Sequence, residues 1–404
     1  MRCAVFLLAC SRFMTAATYY VGPGGSDGNP GSMAQPWATV SHAVAAAQPG
    51  DVIVLRDGAY GPEGHTSSFP VRITKAGSPA AWIVLKAEHK WGAVLDCASP
   101  TTPCSGYIYL DTGAAYWVFQ GLVLQHGSNF GMSANSSPAA HDILVRGCRF
   151  EYIGQSVNDS VYGEAGVYVG EGSSNFTFDG NVFHDIGRTS GKYPSNDHGL
   201  YLHASGAAVV NNIFYAPISG WGLQTADGFT GLVAFNTFVF PMQNNGGQIM
   251  LWGNNSDLTI RNNLFYNPAG AIAINTSNLY VSGGCSVDHN LITGGTPGFA
   301  PGCAFSDNIL ADAGMVNVVT QPLDFHLLPI SPAIDAGAPV PSVTTDFGGA
   351  VRPQGAAPDI GAYEFPSNVA PGPGPQPANA ALNRSTPQPK PGAKPRQNLN
   401  SVKP

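Results

Sequence analysis

GNVF (180–183), NNIF (211–214), FNTF (235–238), NNLF (262–265) and HNLI (289–292) are the segments on which the fold is read. GLVL (121–124) and GCRF (147–150) precede them in the same register. Their second positions, Leu122, Cys148, Asn181, Asn212, Asn236, Asn263 and Asn290, recur at intervals of 24 to 33 residues. A second series keeps the same beat: GMSA from Gly131, GVYV from Gly166, GLYL from Gly199, GLQT from Gly222, QIML from Gln248 and AIAI from Ala271. Short β segments returning at this period, with Asn or Gly at the corners, predict a solenoid whose turns stack one upon another. An Asn at the same corner of every turn can pass a side-chain amide hydrogen bond along the stack. Phe150, Phe183, Phe214, Phe238 and Phe265, two residues on, should then form an aromatic file inside. The expected fold is all-β: a single-stranded right-handed parallel β-helix over residues 18–365, about ten turns at the usual strand spacing.

Composition agrees. Of 404 residues, 50 are Gly and 33 are Pro, and only 11% are charged. That excludes coiled coils and helical bundles, which need charged periodic stretches. No apolar run reaches the length of a membrane span. The formal charge of −7 is uneven. The tail from 366 carries five basic residues and no acid, and Arg2 and Arg12 lie at the start, so residues 18–365 hold 18 − 7 = 11 basic against 25 acidic residues. A surface at −14 disfavours nucleic acid as a partner.

Exposed ends of a solenoid require caps. Residues Ala38–Ala47 place Val40 and Val44 on one helical face before Pro49-Gly50, which predicts an N-terminal capping helix. The first 17 residues, MRCAVFLLACSRFMTAA, have the basic start, apolar run and small terminal residues of a signal peptide, hence a secreted or periplasmic location. Cys97 with Cys104 and Cys285 with Cys303 are close pairs across Pro- and Gly-containing segments, expected as disulfides; Cys148 is expected buried and free. Residues 366–404, with ten prolines in 39 residues, predict a disordered basic tail. Asp27 and Asn29 in the Gly-rich start suggest a turn rather than a calcium site. A monomer is expected.

YYVGPGGSDGNPG (19–31), PWATVSHAVAAAQPGDVIVLRDGAY (36–60) and the Asn-x-Phe turns resemble secreted right-handed parallel β-helix proteins of the pectate-lyase-like superfamily. DFHLLPISPAIDAG (324–337), DFGGAVRP (346–353) and PDIGAYEF (358–365) resemble their closing segment. The resemblance implies that Asp335, Asp346, Arg352 and Asp359 are structural ties. It is specific for architecture and weak for chemistry, because lyases, hydrolases, epimerases and adhesins share the fold. The polygalacturonase motif series, the arginine motif of classical pectate lyases and a clustered calcium signature are absent; Asn196-Asp197-His198 only echoes the epimerase string.

Strand parity selects a candidate face. With Leu200 and Leu202 inward, Tyr201 and His203 point outward. Ser133, Tyr168, Tyr201, Gln224 and Met250 should form one outward column, and Gly170, His203, Ala226, Trp252 and Asn275 the next. Solvent-facing Tyr and Trp suit a polysaccharide partner. The long connections 151–165 and 184–198 bring Asp159, Tyr162, Glu164, Arg188, Lys192, Asp197 and His198 beside this face. A lyase on a uronate glycan must neutralise the substrate carboxylate, remove the neighbouring proton and protonate the leaving oxygen. Tyr201, His203 and His198 are the candidate proton carriers. Tyr168, Gln224, Trp252, Lys192 and Arg188 are the candidate substrate-binding residues, and Asp197 the candidate ligand of a Ca2+ ion. A glycosidase would instead pair Asp197 with Glu164 or Asp227. A non-catalytic carbohydrate-binding scaffold is the alternative of a different class. The enzyme is favoured because ionisable groups gather beside the aromatics on a charge-poor chain.

Overall fold

The computed structural model describes residues 16–62, 68–99, 104–134, 140–155, 162–188, 190–216, 218–240, 247–267, 272–296, 298 and 302–366. Nearly all of the expected signal peptide and of the basic tail lie outside these residues, as does Asp159. The chain coils as a parallel β-helix. Three runs of parallel strands line its faces; one is a separate sheet of ten strands from Gly58–Tyr60 to Ile309–Leu310, one per turn. The long strand Gly247–Arg261 joins the other two runs by pairing with Trp221–Thr225 through its first half and Thr230–Ala234 through its second. Among the paired strands only Met315–Asn317 with Asp324–Leu327 is antiparallel.

The asparagine corner is a continuous ladder. Asn181, Asn212, Asn236, Asn263 and Asn290 each accept from the backbone N–H of the preceding rung's corner residue at 2.9–3.0 Å. Each Nδ2 also donates to the Oδ1 of the next rung at 2.9–3.0 Å. Asn308 adds a rung beyond the sequence series, receiving both bonds from Asn290. The residue just before each ladder position sits at positive φ, between 52° and 69° from Gly121 to Asp307. That left-handed bend explains the Gly and Asn found there. Phe235 is an exception at 57°, and the Arg352 guanidinium rests 4.2 Å from its ring.

Inside, Phe150, Phe183, Phe214, Phe238 and Phe265 stack in sequence with centroids 4.7–5.1 Å apart and planes within 16°. The glycines of the second series have a cause in this packing. A Cβ on Gly166 would lie 2.6 Å from the Gly199 carbonyl oxygen, and one on Gly199 2.6 Å from that of Gly222. The backbone thus bends against the rung above and the phenyl file beneath.

Helix Val40–Ala46 closes the N-terminal end with Val40, Ala43 and Val44 buried, and Thr39 caps it through the His42 N–H. Asp27 takes the turn role: its carboxylate accepts from the Ala38 and Thr39 N–H groups and the Thr39 hydroxyl. At the other end, Arg352 pairs with Glu364 and reaches the Gly361 carbonyl and Asn211 side chain. Asp346 accepts from Ala350 and Glu364, and Asp359 from Asp335 and Phe365, so the closing segment is tied down as expected. Cys97–Cys104 and Cys285–Cys303 are disulfides, and Cys148 is buried and free.

Candidate active site

The candidate face lies on the run that includes Ala165–Val169, His198–Leu202 and Trp221–Thr225. Strand pairing sets Ser133 opposite Tyr168, Tyr168 opposite Tyr201, Tyr201 opposite Gln224 and Gln224 opposite Met250. The first expected column therefore exists. Asn275 moves: Ile274 pairs with Ile249, which sets Asn275 opposite Met250 in this column, and a register shift beyond Met250 sets Trp252 opposite Asn278 instead. Trp252 is exposed at 42% relative accessibility, open to a ligand, whereas Met250 is buried.

Tyr168, Tyr201 and His203 form one aromatic cluster. The two tyrosine rings meet edge-on at 5.4 Å, and His203 lies 5.1 Å from Tyr201 and 6.1 Å from Tyr168. Burial, the neighbouring Tyr168 and the charge of Asp227 push the Tyr201 phenol up to about 12, with a hydrogen bond to Gln224 opposing. Burial likewise raises Tyr168. For His203, burial lowers the pKa, opposed by a hydrogen bond with the Asp227 backbone and the charges of Glu171 and Asp227. Its Nδ1 is buried without a hydrogen-bond partner. Neutral imidazole and protonated phenol thus stand side by side. His203 also lines an open depression of about 430 Å³ with Glu171, Ser173, Ser205 and Asp227.

Three expectations are corrected. Arg188 and Asp197 do not face a ligand: both side chains are fully buried and pair with each other. Asp197 Oδ1 accepts from Arg188 Nη2 at 2.6 Å and the Glu164 N–H at 3.1 Å; Oδ2 accepts from Arg188 Nε at 2.9 Å and the Arg188 backbone N–H at 2.8 Å. With both oxygens so engaged, Asp197 does not fit a calcium ligand, and it is equally lost to glycosidase chemistry. His198 is buried as well, its Nδ1 3.4 Å from the Trp221 N–H and its pKa lowered by burial to about 3. Its ring abuts Tyr201 edge-on at 5.2 Å, so it buttresses the phenol rather than meeting a ligand. Glu164 completes the buried cluster 4.0 Å from Arg188, its carboxyl pushed up to about 8 by burial and by Asp197.

Lys192 does stand at the surface, its ammonium 4.8 Å from the Tyr193 ring, which contacts exposed Tyr162 at 5.0 Å. Tyr162 also opposes the ionisation of Tyr201, which ties this rim to the candidate face. Among the described residues, one acidic-histidine group has metal-ligand spacing, Asp57, Glu88 and His89, exposed at a different corner of the coil. The sequence reading missed two members of the column. Arg72 pairs opposite Tyr109, and Tyr109 opposite Ser133. Alternation in VRI (71–73) and IYL (108–110) was the available signal, but neither turn has a glycine where Gly131, Gly166, Gly199 and Gly222 stand.

A parallel coil with an outward aromatic and ionisable strip defines the class: a parallel β-helix protein. The family described as Pel9A-like, right handed beta helix region, matches residues 19–234, more than half of the chain. The chain belongs to that family. It is similar to pectate lyase PEL9 of Emericella nidulans, 32% identical over 136 residues, which is 31% of this chain and 32% of the relative. Pectate lyase L of Dickeya dadantii is 32% identical over 115 residues, 28% of this chain and 27% of the relative. The chain thus spans about a third or less of these relatives' length. Among solved structures, pectate lyase Pel9A superposes with a TM-score of 0.52 at 18% identity, over 87% of this chain and 96% of that one. An alginate lyase from Paenibacillus sp. str. FPU-7 gives 0.50 at 14% identity, over 72% and 94%. These likenesses show the fold.

Proposed function

We propose that this chain is a polysaccharide lyase that cleaves an acidic, uronate-containing glycan by β-elimination on the Tyr168–Tyr201–His203 face. The observation that carries the reading is the contact between His203 and Tyr201, with ring centroids 5.1 Å apart, where burial favours the neutral imidazole and the protonated phenol. Elimination needs one group that accepts a proton and one that donates it. His203 removes the proton on the carbon next to the uronate carboxyl. The freed electron pair forms the ring double bond as the bond to the glycosidic oxygen breaks, and Tyr201 protonates that oxygen. The products are an unsaturated uronate end and a new reducing end; solvent returns the proton to Tyr201 and takes one from His203. Gln224, opposite Tyr201, and Lys192 on the rim are the groups assigned to the substrate carboxylate. Tyr168 and Trp252 offer faces to sugar rings. No step is routed through calcium, because both oxygens of Asp197, the expected ligand, are taken up by N–H donors.

The similarity to pectate lyases supports a lyase, and the two disulfides support an extracytoplasmic location reached through a signal at 1–17. A monomer acting on polysaccharide is proposed. Purified protein is to be incubated with pectate, alginate, other uronans and neutral glycans, with and without calcium. Ultraviolet absorbance of unsaturated ends is the expected product signal. Reducing ends without absorbance indicate hydrolysis, and retention without product indicates a binding scaffold; either outcome overturns the reading. In an active preparation, Tyr201→Phe and His203→Ala should lower kcat by about 10²–10⁴-fold with far smaller changes in KM.

A further inference from the structure

We propose that the glycan strip runs on along the coil to Arg72, which forms a distal subsite for a uronate carboxylate; this rests on the acidic-glycan reading above. The strands are in register from Tyr201 through Tyr168, Ser133 and Tyr109 to Arg72, all in one outward column. Four rungs at the usual spacing place Arg72 roughly 19 Å from Tyr201 along the axis. The Arg72 guanidinium lies over the Tyr109 ring at 4.7 Å, and the Phe69 ring lies 5.0 Å from that of Tyr109. An aromatic floor with a cation held against it is the arrangement that receives a sugar bearing a carboxylate.

Arg72 already pairs with Asp111, but the pair leaves capacity. Both Nε and Nη2 donate to one Asp111 oxygen, and the Arg72 side chain is 53% exposed. Exposed pairs contribute little to stability, so an incoming carboxylate can share the guanidinium through Nη1. On a coil with 11 basic residues against 25 acidic ones, a cation aligned with the proton-transfer pair is a scarce feature. Small Ser133, buried between Tyr109 and Tyr168, keeps the column continuous from Tyr168 to Tyr109.

The test is a chain-length series of oligogalacturonates and polygalacturonate. Arg72→Gln should raise KM for polygalacturonate about tenfold, equivalent to about 1.4 kcal/mol. The penalty should shrink as oligomers become too short to reach from Tyr201 to Arg72, and Arg72→Lys should recover part of it. Tyr201→Phe should instead lower kcat at every length. A penalty independent of length, or none, overturns the subsite while leaving the lyase reading in place. Retention of polygalacturonate in affinity gels separates the two claims. If the parent yields no unsaturated ends but is retarded, and Arg72→Gln weakens the retardation, the lyase reading falls and the subsite stands. If neither polygalacturonate nor alginate retards the parent, the subsite falls. Asp111→Asn, which releases the guanidinium, should tighten long-chain binding; weaker binding in that variant overturns the proposal even where Arg72→Gln folds poorly.

Discussion

Asp197→Asn separates a structural from a ligand-binding role for the most polar part of the loop before the candidate face. In the folded chain Asp197 receives four N–H donors, three of them from Arg188, and neither side chain reaches solvent. An amide keeps the shape but removes the charge and turns an NH2 toward donors. Breaking one partner of a buried pair typically costs about 3–5 kcal/mol, because the other charge stays buried. With an unfolding entropy near 2.1 cal/mol/K per residue over the coil, this converts to a melting temperature lower by roughly 4–7 °C. Glu164, 4.0 Å from Arg188, softens the loss by ionising in Asp197's place. The double variant Asp197→Asn/Glu164→Gln should therefore lose more than the two single effects summed. Calorimetry in chelator at low and high salt is the assay, and the drop should persist in salt because a buried pair is poorly screened. Replacing both partners, Arg188→Met with Asp197→Leu, should recover most of the stability. A melting temperature within 1 °C of the parent, together with loss of a calcium-induced rise, would refute the buried-clamp argument and restore Asp197 as a metal ligand.

Three further outcomes follow from the geometry. Asn236→Leu takes the side-chain partner from the buried Asn212 N–H and Val209 carbonyl, while Asn212 Nδ2 keeps the Phe178 carbonyl and Asn263 Oδ1 keeps the Asn236 N–H; about 2–6 kcal/mol is expected at about 1–3 kcal/mol for each of the two groups, and urea unfolding reads it. Glu164 holds its proton to about pH 8 when folded, against 4.5 for an unperturbed glutamate, so the folded state binds more protons and stability should fall as pH rises from about 4.5 to 8. Glu164→Gln should flatten that stretch of the melting-temperature profile; an unaltered slope contradicts the assignment. For activity, kcat/KM should rise with pH through an apparent value below the ordinary histidine range, as His203 becomes neutral, and hold until Tyr201 ionises near the alkaline end. His203→Ala should abolish the acid limb.

The coil, its corner ladder, phenyl file and outward column were legible because each is a repeat. In a parallel stack every rung places the same side chain in the same environment, so Asn181 to Asn290 and Phe150 to Phe265 announce their neighbours through spacing alone. Asn308 escaped because its turn closes after 18 residues rather than the usual period, and Arg72 because its turn has no glycine marker. The roles of Arg188, Asp197 and His198 were decided only by the tertiary structure. Their residue types are those of a solvated, ligand-facing loop, yet the loop folds inward and its charges cancel in pairs out of water. Periodicity propagates from rung to rung by local bonding, whereas the burial of a non-repeating loop depends on the particular shape of the surface it meets.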